Sequence, residues 1–243
     1  MKTTGYEPLA RIVKVALEER ETRPTEALGS RGPLIVGIGG GVAVGKSTAA
    51  EKLVGLVGST PAEVVTTDAY LLPNAVLEER DLLGEKGFPH SYDNEALDSF
   101  LWAVRDGATG LTVPVYDHIS YDVLTDIRRP LGSTSLLVVE GVNSLRFAQH
   151  FDIAVYLHAD EVAMEDWYVT RFMRLCDEAP PGSFYENFRG LGTDGREGMA
   201  RAIWQSVNLV NLREHIAPTR ANATVVVEKA ADHSVANIYV TNP

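Results

Sequence analysis

An apolar run, PLIVGI at positions 33–38, passes through glycine into Gly40, and after four intervening residues come Gly45, Lys46, Ser47 and Thr48. From Lys46 to Leu56 the residues are good helix formers at helical spacing. A buried strand turning sharply through glycines into a helix points to an alternating α/β fold, and this spacing is the phosphate-binding loop pattern in its required strand-to-helix setting. Glycines let backbone N–H groups turn inward on phosphate oxygens, and the helix that follows adds the positive end of its dipole. The loop of Gly40, Gly41, Val42, Ala43, Val44, Gly45, Lys46, Ser47 and Thr48 is therefore the candidate nucleotide site. Lys46, expected to be exposed at the loop mouth, would reach the β and γ phosphates; Ser47 would place its hydroxyl on Mg²⁺, with Thr48 in support. A dinucleotide fingerprint fails, because Gly37 and Gly39 would need a third small residue where Val42 stands.

AEVVTT (62–67), SLLVV (135–139), FDIAVYLH (151–158) and TVVVEK (224–229) read as further strands, TVVVEK being the last strand of the chain. Helical stretches are expected at 7–20, 94–106, 161–176 and 195–215. Buried strands alternating with helices predict a doubly wound, mostly parallel sheet with helices on both faces. Residues 1–32 are expected to form an N-terminal helix and a polar connector, and residues 33–243 the main domain. PPGSFYENFRGLGTDG supplies the Gly and Pro of a mobile connector in a helical lid near 161–195.

A net charge of −11 without a Lys/Arg-rich run argues against nucleic acid or an anionic membrane surface as partner. Cys176 is the only cysteine, so no intrachain disulfide forms, and it is expected to be a small buried apolar residue. Charges interrupt every apolar run near the N-terminus, so neither a signal peptide nor a membrane span is expected and a cytoplasmic location follows.

Phosphoryl transfer to an alcohol needs Mg²⁺ near the phosphates and a base for the hydroxyl. Asp68 closes the second strand in VVTTDAY and Glu140 the third in LLVVEG, at the carboxyl ends where parallel sheets bind ligands. Asp68 is assigned as general base and Glu140 as metal or metal-water ligand, although the letters alone would allow the roles to be exchanged.

From about Leu34 to the last expected strand the chain resembles bacterial type I pantothenate kinase, a family related to uridine kinase and phosphoribulokinase. The resemblance is carried by GVAVGKST (41–48), VVTTDAYLLPN (64–74), KGFPHSYD (86–93), VPVYDHISYDV (113–123), VVEGVN (138–143), DWYVTRF (166–172) and VNLVNLREHIAPTRANA (207–223). It implies a kinase that uses ATP and Mg²⁺ to convert pantothenate to 4′-phosphopantothenate at the entry to coenzyme A synthesis. It also implies that Tyr116, His118, Tyr168, Arg171 and Asn208 surround the substrate and the transferring phosphate, and that His233 lies beside the adenine. Read without the family, Tyr116 could only flank a hairpin, and Tyr168 and Arg171, three apart on a helix, could only cover a surface. The family precedent is a homodimer inhibited by coenzyme A. Four features depart from the pattern: a short region before the first strand, Glu51 where the family has Arg, Leu175 where it has an aromatic residue, and a shortened connection between Glu140 and the fourth strand. Glu51 predicts weak inhibition by coenzyme A. The alternatives are a kinase of the same fold acting on a nucleoside or sugar, or a nucleotide-regulated module without chemistry. No Asn-Lys-x-Asp or Leu-Ser-Gly-Gly signature supports a GTPase or a transport ATPase.

Overall fold

A computed structural model describes residues 5–22 and 32–241, so most of the connector expected at 21–33 lies outside the described residues. β1 (Leu34–Gly40) is buried along its whole length, as a strand covered on both faces must be. It lies at the middle of a six-stranded sheet ordered β2-β5-β1-β6-β7-β8, with β2 Ala62–Thr66, β5 Leu136–Glu140, β6 Ile153–His158, β7 Val225–Lys229 and β8 Val235–Val240. Every pairing from β2 to β7 is parallel, which gathers the carboxyl ends of these strands along one edge. Contrary to expectation, β7 is not the last strand: β8 runs antiparallel beyond it as a half-exposed edge strand, so it lacks the unbroken apolar run that marks its neighbours.

A separate antiparallel hairpin, β3 (Thr112–Asp117) with β4 (Asp122–Pro130), shifts register between Pro114 and Val115. Its charged, largely exposed second strand does not read as a strand from sequence. Between the strands lie α2 (Lys46–Val57), α3 (Asn74–Glu79), α4 (Asn94–Arg105), α5 (Glu161–Asp177) and α6 (Thr193–Ile203). The N-terminal helix α1 (Glu7–Thr22) buries Leu9, Val13 and Leu17 in the same core as the sheet, at about 1.5–3 kcal/mol for each side chain. No described helix is long and apolar enough to cross a membrane.

α5 is capped by Asp160, whose carboxylate accepts from the Val162 N–H at 2.9 Å. Val169, Phe172, Cys176 and Ala200 form a small satellite core between α5 and α6, so Cys176 is buried as expected. The segment expected to form a lid thus rests on apolar contacts of its own and touches the hairpin tip, where the Phe184 N–H donates to the Ile119 carbonyl at 3.2 Å. The helix expected over 195–215 is not uniform. After α6 it widens into π-helical turns at Trp204–Asn208 and Leu212–Ile216, a deformation frequent at functional sites.

Candidate active site

The glycine loop folds as its spacing demands. Gly40 (φ 143°) passes so close to β6 that a Cβ there would stand 2.5 Å from the Leu157 carbonyl, and Gly45 (φ 91°) turns the chain into α2. Lys46, Ser47 and Thr48 occupy the first turn of α2, where free N–H groups and the helix dipole favour an anion. Lys46 is not exposed as expected: its ammonium folds back, half-buried, to donate to the Gly41 carbonyl at 2.8 Å. Burial holds its pKa below the usual lysine range against the pull of the Glu140 and Asp68 carboxylates, and the Arg171 cation lowers it further.

Parallel pairing sets Thr66 of β2 beside Glu140 of β5, so the two candidate carboxylates leave adjacent strands at nearly the same level. Glu140 is only 6% exposed and accepts from the Ser47 hydroxyl at 3.2 Å. Burial raises its pKa and the neighbouring Asp68 adds to this; Lys46 and hydrogen bonds from Thr66 and Ser47 oppose it. Asp68 lies in a short 3₁₀ turn, Thr67–Tyr70, its N–H donating to the Thr66 hydroxyl at 3.3 Å. Beside both carboxylates the Thr67 side chain packs directly on Gly141, for a Cβ on Gly141 would fall 1.7 Å from the Thr67 hydroxyl oxygen. Among the described residues no three His, Cys, Asp or Glu side chains converge on a metal site. Mg²⁺ bound to phosphates needs only one or two carboxylates, keeping waters and phosphate oxygens as its other ligands. The buried Glu140 with the Ser47 hydroxyl suits that ion.

The remaining expected residues come from three elements. Tyr116 lies on β3, packed edge-on against His118 (centroids 5.1 Å apart) and Tyr121 (6.1 Å); His118 itself is exposed at the hairpin tip. Tyr168 and Arg171 lie less than one turn apart on α5. Tyr168 is hydrogen-bonded to Asn208 of the first π turn, and burial pushes its hydroxyl up to about 12. Arg171 has no hydrogen-bond or ion-pair partner among the described residues, yet its charge is felt by Lys46, Tyr121, Tyr168 and Tyr185. A free guanidinium near the phosphate-loop lysine is placed to meet an anion. His233 sits apart from this group, in the β7–β8 turn at φ 65°, with its ring stacked on Trp167 at 3.7 Å. Burial and the Lys229 cation lower its pKa, favouring a neutral flat ring.

This geometry has relatives. The chain is 38% identical over 259 residues to a pantothenate kinase from Sorangium cellulosum (strain So ce56), spanning 98% of this chain and 84% of that protein. The chain belongs to the pantothenate kinase family. Among solved structures it resembles one described as a fructose transport system kinase from Silicibacter sp. TM1040, at TM-score 0.67 and 25% identity over 86% of this chain and 94% of that one. Phosphoribulokinase from Rhodobacter spheroides shares the fold at TM-score 0.51 and 13% identity, covering 82% of this chain and 71% of its own. No family model matches.

Within this pantothenate kinase fold the site includes residues to which sequence reasoning gave no role. Lys86 donates to Asn74 Oδ1 at 2.6 Å and to the Tyr121 carbonyl, with its ammonium 4.4 Å from the Tyr121 ring centroid and 5.3 Å from that of Tyr116. Burial lowers its pKa to about 8 although Asp122 and Asp68 pull upward. Tyr92, buried, donates its hydroxyl to Asp68 Oδ1 at 3.3 Å. Both belong to KGFPHSYD, so the family resemblance was the available signal; a lone Lys or Tyr in a turn carries none. A cavity of about 650 Å³, lined by Tyr70, Leu72, Phe100, Leu111, Val123 and Ile127 among others, opens between α4 and the hairpin and contains none of the expected site residues.

Proposed function

We propose that this chain transfers the γ-phosphoryl group of ATP to the 4′ hydroxyl of pantothenate, giving ADP and 4′-phosphopantothenate. The observation that carries the reading is the meeting of a phosphate loop with two strand-end carboxylates beneath a Tyr116, Tyr168, Arg171 and Asn208 group, in a chain of the pantothenate kinase family. Asp68 orients the attacking hydroxyl and accepts its proton as the oxygen–phosphorus bond forms. Lys46 and Arg171 stabilise charge on the phosphoryl oxygens and on the departing ADP. Tyr116, Tyr168, Asn208 and His118 meet the hydroxyls, amide and carboxylate of pantothenate. Ser47 and Glu140 would hold Mg²⁺, which would supply charge neutralisation for the nucleotide phosphates when bound. The loop residues Gly40 to Thr48 cradle the phosphates, and His233 with Trp167 offers a flat surface to the adenine. The same reading makes coenzyme A a weak inhibitor and the protein a cytoplasmic homodimer.

Incubating the protein with ATP, Mg²⁺ and pantothenate and identifying the product by mass and ³¹P spectra tests the reading. A phosphomonoester on the primary hydroxyl, absent with Lys46→Ala, is expected. Nucleotide hydrolysis without a phosphorylated alcohol would overturn it.

A further inference from the structure

The loop that follows α3 is held with more care than a surface connection needs. Gly87 sits at φ 99°, and its carbonyl accepts from two buried amides, Asn143 Nδ2 at 3.0 Å and Asn211 Nδ2 at 2.8 Å. Asn143 lies three residues beyond Glu140, and Asn211 three beyond Asn208 between the two π turns. The strand end bearing the metal-side carboxylate and the helix bearing a substrate-side amide are therefore pinned to one carbonyl. The loop is also closed on itself, since the Gly87 N–H donates to Ser91 Oγ at 2.9 Å and that hydroxyl donates to the Phe88 carbonyl at 2.7 Å.

The rigidity is passed to Asp68. Leu72 N–H donates to the Ser91 carbonyl at 2.8 Å and Asp93 N–H to the Tyr70 carbonyl at 2.8 Å, so the segment after Asp68 pairs with the segment around Tyr92, with Leu71 bridged to Tyr92. Tyr92 is 5% exposed, and its hydroxyl donates to Asp68 Oδ1 while the Asn143 side chain reaches the same hydroxyl. A buried hydroxyl between an amide and a carboxylate has one low-energy orientation, and chained hydrogen bonds in a dry site reinforce one another.

We propose that Tyr92 is a positioning residue: it holds the Asp68 carboxylate at the angle needed to receive the substrate proton, and the double clamp on Gly87 fixes Tyr92 in turn. The inference rests on Asp68 being the general base. It assigns Tyr92 no contact with substrate or nucleotide, so its whole effect passes through Asp68.

That condition makes it testable by a double-mutant cycle, because residues acting through one another are strongly non-additive. Tyr92→Phe removes one oxygen atom and keeps the ring. We expect it to lower kcat about tenfold, the scale of a hydrogen bond to a charged group, with KM for ATP within about twofold. In an Asp68→Asn background the same change should alter kcat less than about twofold. An equal loss in both backgrounds would refute the positioning role while leaving Asp68 as base. A near-native kcat for Asp68→Asn alone would instead refute the base assignment. Thermal melting reports whether Tyr92→Phe folds; if it does not, Asn211→Ala, which releases the clamp from the other side, enters the same cycle with the same expected outcomes.

Discussion

Gly141→Ala should damage the site out of proportion to one methyl group. Gly141 follows Glu140 and faces Thr67, the residue before Asp68, so the substitution strikes where the two carboxylate-bearing chains touch. The new Cβ would lie 1.7 Å from Thr67 Oγ1, 2.8 Å from its Cβ and 3.1 Å from its Cγ2, against 3.4–4 Å for ordinary contact. Thr67 is fully buried, and no rotation about χ1 moves its Cβ, which stays 2.8 Å from the new methyl, so the strain must pass into the backbone. Overpacking of this kind costs about 1–3 kcal/mol, and for a chain of this size about 2–4 °C of Tm per kcal/mol. Retreat by more than about 1 Å would misplace Asp68 relative to Glu140, and a 1 Å misplacement costs roughly 10²-fold in rate. Gly141→Ala is therefore expected to melt several degrees lower and to lose about 10² in kcat/KM. Thr67→Gly in the same chain, which removes all three clashing atoms, should recover most of the rate. Calorimetry with steady-state kinetics reads both quantities. Native activity in Gly141→Ala, or no recovery in the double variant, would refute the argument that this close approach sets the carboxylate spacing.

Asn208→Ala should raise KM for pantothenate about 5- to 150-fold, because a hydrogen bond worth about 1–3 kcal/mol is lost together with the partner that orients Tyr168; an unchanged KM would remove Asn208 from the substrate site. Lys86, with a folded pKa of about 8 below its unfolded 10.5, makes stability climb as pH rises from about 8 to 10.5 and lose that gain as pH falls through 8. Denaturant titrations should show this climb, about 1 kcal/mol after solvent screening at a half-buried site, and show it missing in Lys86→Met. Glu51 is exposed on α2, so Glu51→Arg, a change of two charge units, should tighten coenzyme A inhibition measured at sub-saturating ATP and make it more salt-dependent. Tight inhibition of the native chain, or none gained, would contradict that expectation.

Much of the frame was legible because its signals are local. β1, β5 and β6 are apolar on both faces, and the glycine spacing before Lys46 has a geometric meaning no other spacing shares. Asp68 and Glu140 stood out because strand ends can be found from where apolar runs stop. What stayed hidden depends on contacts distant in the chain. β4 is charged and largely exposed, and Asn237 interrupts the short, mostly exposed apolar run of β8, so periodicity says little about either. Lys46 was expected in solvent, and the nearby Gly41 carbonyl that draws it inward becomes its partner only through the loop's fold. Tyr92 and Lys86 acquire meaning from Asp68 and Tyr121, which lie 24 and 35 residues away. The π turns at Trp204–Asn208 and Leu212–Ile216 each widen one turn of an otherwise helical stretch, and no single residue type announces them in the letters.

The central claim is the choice of alcohol, and the most direct test is kcat/KM measured side by side for pantothenate, uridine, fructose and ribulose 5-phosphate with ATP and Mg²⁺. The account predicts that pantothenate exceeds each of the others by at least about 10², since a site built to hydrogen-bond its substrate strongly penalises analogues that leave its polar groups unpaired. A nucleoside or sugar turned over faster than pantothenate would contradict it.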